Sequence, residues 1–549
     1  MRTTKYQCAQ LSRSKHRLVC TLLLWALFGL AHQNATSAVT PETVAKQTWH
    51  RVSTPNFELI TDISKNNAVE LAERVERFRQ FISIISSFDS DITLRPVTIF
   101  ATKRGKNYDF FTKQSDLLNK STGFFNDTIP ATYAVIHLKG RHLAQHNLRN
   151  YYHQYVHYLT ATSTSYDLPY WFSEGFAIYL ASIEFIGKNK VHFAKPLAQY
   201  RRFIKNSRWV PIGEILADRR GQHRSIHRIR KTHAQGYFLT HYFYADIERR
   251  KNLLKFINLR NSGTEIEIAA QQAFDITLEE LNSAVKHYAY SPSRMRYLSI
   301  ELNKSLELND LKVHKLRPEE LFTEFALFSL RTDLGSDKAI TWFEHALEIN
   351  PLYAPALAGL AQTYVDQDLE KALHYFEQAN HLAPNDVYVA TVKGHVYRQL
   401  LTHKTEQTSD TTQKAAYWRQ AVQGYDTAIN SSTGNVEALV GAAHLYTGRQ
   451  PDELVIELLR FAYQFAPSNT AVQKHLIRAL LRNQNTLQAD LIANIIRNNP
   501  HYTQHQLENF EQWYQELRAV YLRSEETQYA SPVNEQHNSK QPMSSTHED

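Results

Sequence analysis

Four segments of this 549-residue chain end alike: Ala346-Leu-Glu-Ile-Asn-Pro351, Ala379-Asn-His-Leu-Ala-Pro384, Ala462-Tyr-Gln-Phe-Ala-Pro467 and Ile495-Ile-Arg-Asn-Asn-Pro500. Pro351 and Pro384 stand 33 residues apart, as do Pro467 and Pro500. The gap of 83 between the middle two prolines divides at a helix end, Ala428-Ile-Asn-Ser-Ser-Thr433, into 49 and 34, with a polar insertion near 402–417. Small and aromatic residues recur at fixed places before the first two prolines: Ala339, Phe343 and Ala346, then Ala372, Phe376 and Ala379. Such a period is the mark of paired antiparallel helices. Small residues let the two helices of a unit approach, the aromatic fills the gap between units, and proline stops the second helix. No unit of this kind can bury its apolar face alone, so the units must stack into an elongated array.

The pattern resembles the tetratricopeptide repeat, in four or five degenerate copies over about 319–501, within a helical region expected to span 319–523. Such solenoids offer a concave surface to peptides or partner helices, so the resemblance implies a protein or peptide partner bound through the repeats. The last stretch, 524–549, is polar and reads as a disordered tail.

The front half has a different texture. Phe57-Glu-Leu-Ile-Thr61 alternates as a strand does, Asp62 or Ser64 can cap a helix over about 66–86, and Pro96–Phe100 and Tyr133–Leu138 read as further strands. Two helices follow, about 145–160 and 168–186. The expectation is an α+β unit over 47–300. Gly is scarce, 17 in the whole chain, which favours helices over Gly-rich β architectures.

The beginning reads as an export signal. A basic stretch through Arg17 precedes a 14-residue apolar run, Leu18–Ala31, followed by small residues at Gly29-Leu30-Ala31 and Thr36-Ser37-Ala38. That length suits a signal core and falls short of the roughly 20 residues of a membrane span. The segment 1–38 is therefore expected to be a signal peptide, with an uncleaved anchor as the alternative. No other stretch is long and apolar enough to cross a bilayer. The product is expected in the periplasm or attached to the envelope. The formal charge of +8 drops to +3 without the five basic residues of this segment, which argues against a nucleic-acid partner. A second basic stretch, 219–231, lacks an apolar stripe and reads as a solvated face. The two cysteines, Cys8 and Cys20, both lie in the signal. The mature chain has no thiolate, so any metal must be held by imidazole and carboxylate.

Two histidines four apart on a helix lie on one face and can share a metal. Four such pairs occur: His142/His146, His153/His157, His223/His227 and His501/His505. Only His153/His157 is followed by a plausible third ligand on a second apolar helix, Leu168-Pro-Tyr-Trp-Phe-Ser-Glu-Gly-Phe-Ala-Ile-Tyr-Leu180. Glu174 lies there among aromatics, a costly place for a free carboxylate. Metal coordination accounts for it; a buried hydrogen-bonded Glu at a helix start is the alternative.

This region resembles the gluzincin group of zinc metallopeptidases, in which a His-Glu-x-x-His helix is followed by a helix bringing a Glu ligand. It is similar above all to exported peptidase-MA-like proteins, which carry a Trp-x-x-Glu-Gly-x-Ala stretch that Trp171-Phe-Ser-Glu174-Gly175-Phe-Ala177 matches. The resemblance spans roughly 47–290 and implies a zincin-like fold. It implies zinc as the cofactor, with His153, His157 and Glu174 as ligands. His233 and Tyr237 fall where related enzymes place a helix beside the cleft, so they are candidates to donate to a developing oxyanion.

One position departs from that pattern. The family's general base directly follows the first His, and here Gln154 stands there. An amide can hydrogen-bond a metal-bound water but cannot take its proton at ordinary pH. A positioned acid/base is worth roughly 10²–10⁴-fold in rate. Asp167 and Glu184 are the nearest other acids in sequence, and helix geometry places neither beside the water. The expectation is a zinc-binding protein impaired or inactive as a peptidase. An active metallopeptidase using another base and a non-catalytic repeat scaffold are the alternatives.

Overall fold

The computed structural model describes residues 39–529 except 87–94, 113–122, 141–142, 164–167, 188, 218–224, 292, 294, 303–310, 333, 406–410, 433 and 500–501. The expected signal, Asp167, part of the 219–231 basic stretch and the last twenty residues lie outside the described residues.

After a short helix α1 (Pro41–Ala45), five strands come in sequence: β1 (His50–Ser53), β2 (Phe57–Thr61), β3 (Val97–Thr102), β4 (Gly123–Asp127) and β5 (Thr132–His137). With β9 (Lys312–Lys315) they form one sheet in the order β4-β5-β3-β2-β1-β9. β2, β3 and β5 are parallel, joined by crossovers that carry α2 (Lys65–Ser86) and α3 (Gly105–Thr112); the other pairs are antiparallel. Period-two alternation gives the sheet two apolar faces. Leu59, Ile99, Ala134 and Ile136 pack in one core with Leu71, Val75 and Phe78 of α2. Ile60, Phe100, Tyr133 and Val135 pack in the other. Asp62 does not cap α2. Its carboxylate instead accepts the Lys103 backbone N–H at 2.7 Å and the Asn107 amide at 2.9 Å, tying β2 to the start of α3.

The rest of the front unit is mostly helical. α4 (Gln145–Ser163) and α5 (Tyr170–Ala181) are followed by β6 (Glu184–Ile186), β7 (Lys190–Phe193), α6 (Ala198–Lys205), α7 (Ile212–Leu216), α8 (Ile226–Tyr244), α9 (Ile247–Asn261), α10 (Ile266–Phe274), α11 (Leu278–Tyr290) and β8 (Leu298–Glu301). The expected helix over 168–186 ends five residues early. The Ser182 hydroxyl bonds the Tyr179 carbonyl at 2.6 Å, and Glu184–Ile186 turns into an antiparallel sheet, β6-β7-β8.

From Pro318 the chain is helical hairpins: α12 (Pro318–Leu330) with α13 (Ser336–Ile349), α14 (Ala354–Tyr364) with α15 (Leu369–Leu382), α16 (Val387–Thr405) with α17 (Thr411–Ser431), α18 (Val436–Tyr446) with α19 (Asp452–Phe465), and α20 (Thr470–Arg482) with α21 (Thr486–Arg497). A long helix, α22 (Gln504–Tyr529), closes the array, running past the point where a tail from 524 was expected. The recurring Ala and Phe residues are buried. The aromatic of one helix fits a notch in the next: a Cβ on Gly359 would stand 2.1 Å from Phe343 Cζ, and one on Gly441 2.5 Å from Tyr425 Cε1. First helices lie against first helices of the following hairpin, α12 on α14, α14 on α16, α16 on α18. They form the inner wall of the array.

The array is fastened to the sheet. Phe325 of α12 meets Trp49 edge-on with ring centres 5.6 Å apart and Phe111 at 5.0 Å, and Trp342 of α13 meets Phe110 at 5.4 Å. Further along, the turn before α20 returns to the β4–β5 hairpin. There Ser468 Oγ donates to Asp127 Oδ2, and Asn469 Nδ2 to the Asp127 carbonyl, both at 2.8 Å. Between these attachments lies a buried polar network, in which Glu437 of α18 meets Arg331 at 3.5 Å and His395 of α16 at 3.2 Å. Among the described residues, no helix is long and apolar enough to cross a membrane.

Candidate metal centre

α4 is anchored by its tyrosines. Tyr152 stacks on Phe78 with ring centres 4.0 Å apart, and Tyr155 leans on Phe57 at 5.5 Å. With that face turned to the sheet, the i, i+4 pair His153 and His157 projects from the other side of the helix. All twelve residues of α5 are buried. The helix crosses α8 at two glycines: a Cβ on Gly175 would stand 2.3 Å from the Gly236 carbonyl oxygen, and one on Gly236 2.4 Å from the Trp171 carbonyl oxygen. Only backbone against backbone fits there, and the contact fixes Glu174, next to Gly175, opposite His233, a turn before Gly236.

Three donors converge. Glu174 Oε2 lies 3.3 Å from His153 Nε2 and 3.6 Å from His157 Nε2, and the two Nε2 atoms are 3.0 Å apart. His153, His157 and Glu174 thus form a group whose ligand atoms all lie within 4.8 Å of one another. His233 Nε2 approaches Glu174 Oε2 to 3.5 Å and takes a 3.0 Å contact with the Tyr170 hydroxyl. It faces Glu174 from α8 but is not part of the mutually adjacent group.

The surroundings favour a charged carboxylate beside a neutral His153. Burial alone would raise the Glu174 carboxyl; His233, His157 and His153 reverse this and hold it well below the usual carboxylate range. Burial, and then His157, push His153 below the ordinary imidazole value. Neutral imidazole and ionised carboxylate are the forms that bind a divalent ion.

The donor set can be tested against zinc. Bonds of about 2.0–2.1 Å to nitrogen and oxygen in a tetrahedron put ligand atoms about 3.3–3.4 Å apart. The separations of 3.0, 3.3 and 3.6 Å bracket that value. Ser173 Oγ lies 3.4 Å from His157 Nδ1, the nitrogen facing away from the centre. Metal-binding histidines commonly engage that second nitrogen.

The other sequence candidates fall elsewhere. Gln154 is half-buried on α4 beside His153. Glu184 is on β6, paired with Lys195 at 2.5 Å. Tyr237 is fully buried, and its hydroxyl donates to the Lys195 carbonyl at 3.0 Å, so it does not serve the oxyanion role expected of it. Each of the other three His pairs has a member outside the described residues. Sequence reasoning missed Ser173, Tyr170 and the glycine crossing. The glycines carried a signal, since Gly inside an otherwise apolar helix marks close backbone approach.

No protein-family model and no curated protein matches this chain. Solved structures with which it shares similarity include a thermophilic TPR protein from Thermus thermophilus, at 18% identity over 38% of this chain and 98% of that one, TM-score 0.29. PilF of Pseudomonas aeruginosa is 14% identical over 39% of this chain and 93% of that one, TM-score 0.27. A tetratricopeptide repeat protein from Parabacteroides merdae is 14% identical over 52% and 94%, TM-score 0.26.

Proposed function

We propose that this is an exported zinc-binding protein whose gluzincin-like front unit holds the ion through His153, His157 and Glu174, is impaired as a peptidase by Gln154, and carries a repeat array that binds a protein partner. The observation that carries the reading is the match between the three donor separations and the edges of a zinc tetrahedron. His153, His157 and Glu174 would hold the zinc, which would supply Lewis-acid polarisation of a carbonyl and a more acidic water. The residues of the chain divide the rest. His153 and His157 present Nε2 from one helix face, and Glu174 supplies the negative charge from a crossing helix. His233, which faces Glu174 from α8, would be the donor to a developing oxyanion. Gln154 follows His153 and offers an amide where a proton acceptor is needed.

The same contacts also suit a metal-free cluster of one carboxylate among three imidazoles, which would leave the front unit as a structural part of a repeat scaffold. Metal analysis separates the readings. Purified under metal-replete conditions, the wild type is expected to hold one equivalent of zinc and the His153→Ala variant far less; no zinc in the wild type refutes the proposal. Peptide hydrolysis is expected to be negligible in the wild type and to rise in Gln154→Glu by roughly the 10²–10⁴-fold of a positioned base. Full activity in the wild type would establish another base.

A further inference from the structure

The inner wall of the repeat array carries a group of basic side chains that the front unit does not use. His395 and Arg398 come from α16, His444 from α18, and Lys474, His475 and Arg478 from α20. His444 Nε2 and His475 Nδ1 lie 3.1 Å apart, with ring centres 4.5 Å apart, joining two successive hairpins. The Tyr425 hydroxyl joins the other two residues, 2.9 Å from His395 Nδ1 and accepting from Arg398 Nε at 3.3 Å. Trp513 of α22 closes one side, with Lys474 Nζ 4.9 Å and Arg478 Cζ 6.0 Å from its ring centre. Among the described residues, no carboxylate forms an ion pair with Arg398, Lys474 or Arg478. Glu437 touches the group through His395 and is also engaged by Arg331.

His444 registers the positive field around it and is neutral at ordinary pH. Burial, and then His475, Arg398, His395 and Arg478, push His444 down to about 4. Arg398, Lys474 and Arg478, gathered about the His444–His475 pair with no carboxylate paired to them among the described residues, make a site for negative charge.

We propose that this wall binds an acidic stretch of a partner polypeptide. The width of the group decides the kind of anion. Packed helices lie about 8–10 Å apart, so α16 to α20 spans roughly 16–20 Å. An extended chain advances about 3.3–3.6 Å per residue, which makes the span about five or six residues. One phosphate cannot reach both ends; a run of Asp and Glu can. The proposal refines the partner-binding reading of the repeats and is independent of zinc.

Fluorescein-labelled octaglutamate, with octaglutamine and octalysine as controls, tests it on the full chain by fluorescence polarisation. Octaglutamate is expected to bind at least tenfold more tightly than either control and to weaken as salt rises. Arg478→Glu and Arg398→Glu are each expected to weaken it about tenfold, with the circular dichroism and zinc content of the wild type retained. Equal binding of octaglutamate and octaglutamine, or binding untouched by both substitutions, overturns the proposal. Displacement of the peptide by a few millimolar inorganic phosphate at constant ionic strength also overturns it, in favour of a small-anion site. Binding of octaglutamine or octalysine instead would refute the acidic choice while keeping peptide binding by the repeats; failure of all three counts against both.

Discussion

Gly236→Ala tests whether the glycine crossing sets the geometry of the metal centre. The added Cβ would stand 2.4 Å from the Trp171 carbonyl oxygen and 3.3 Å from its carbon. Real Cβ atoms stay beyond 3.0 Å, so α5 and α8 must part by about 0.6 Å. The obstacle is helix backbone, and no rotamer relieves it. Overpacking of this kind costs about 1–3 kcal/mol. Alanine's better helix propensity returns up to about 1 kcal/mol, leaving a net loss of about 1–2 kcal/mol. Metal sites tolerate misplacement of about ±0.2 Å, so a shift of α5 by this amount also weakens zinc binding. Urea unfolding of the apo and zinc-loaded variant reads both effects, as a lower midpoint at unchanged slope and a smaller gain on adding zinc. Gly434→Ala is the control: its nearest neighbour would be a Phe465 ring carbon at an ordinary 3.6 Å. An unchanged midpoint for Gly236→Ala would show that the helices are not in backbone contact.

Two other perturbations address the joint between the array and the sheet. Burial would raise the Glu437 carboxyl, but the hydrogen bond from His395 and the charge of Arg331 hold it at about 2 against an ordinary 4.5. Its stabilisation is therefore complete above about 4.5 and lost as pH falls towards 2. Glu437→Gln leaves the Arg331 charge buried without its partner, at a cost of about 3–5 kcal/mol near neutral pH, and should flatten the acid limb of the stability profile; an acid limb identical to wild type refutes the assignment. Asp127→Ala removes the acceptor of Ser468, Thr132 and Arg95. Hydrogen exchange at the start of α20 is expected to quicken at least tenfold while α14 and α15 are unaffected, and a uniform change along the array would count against a local clasp.

The parts of this molecule that could be read from the sequence are those that repeat or that break a local rule. The hairpins declared themselves through Ala339, Phe343 and Ala346 and their copies, because stacking imposes the same small and aromatic positions on each unit. Glu174 stood out because a carboxylate among Trp171, Phe172 and Phe176 needs a reason. Contacts made once, between distant segments, left no such trace. Arg51 pairs with Glu324 across 273 residues, and Ser468 reaches Asp127 across 341. Neither pairing has a period to betray it. Asp62 looked like a helix cap because Asp before a helix usually is one, yet the β3–α3 turn competes for it and wins with two hydrogen bonds. β9 escaped notice because Lys-Val-His-Lys is short and largely polar, and only its pairing partner makes it a strand.

That late strand bears on how the chain acquires its shape. β1 pairs with β2 a few residues on and with β9 some 265 residues on, His50 lying opposite Lys315. As the chain emerges from N- to C-terminus, the outer rim of β1 stays bare, and the face carrying Phe100 and Val135 stays uncovered, until β9 and then α12 arrive. Non-local pairing of this kind is slow, and a bare strand rim recruits other chains. The textural boundary near residue 300 is therefore a poor place to cut. A fragment ending there lacks both the strand and the helix that finish the sheet, and the first repeat belongs to the folding unit of the half that precedes it.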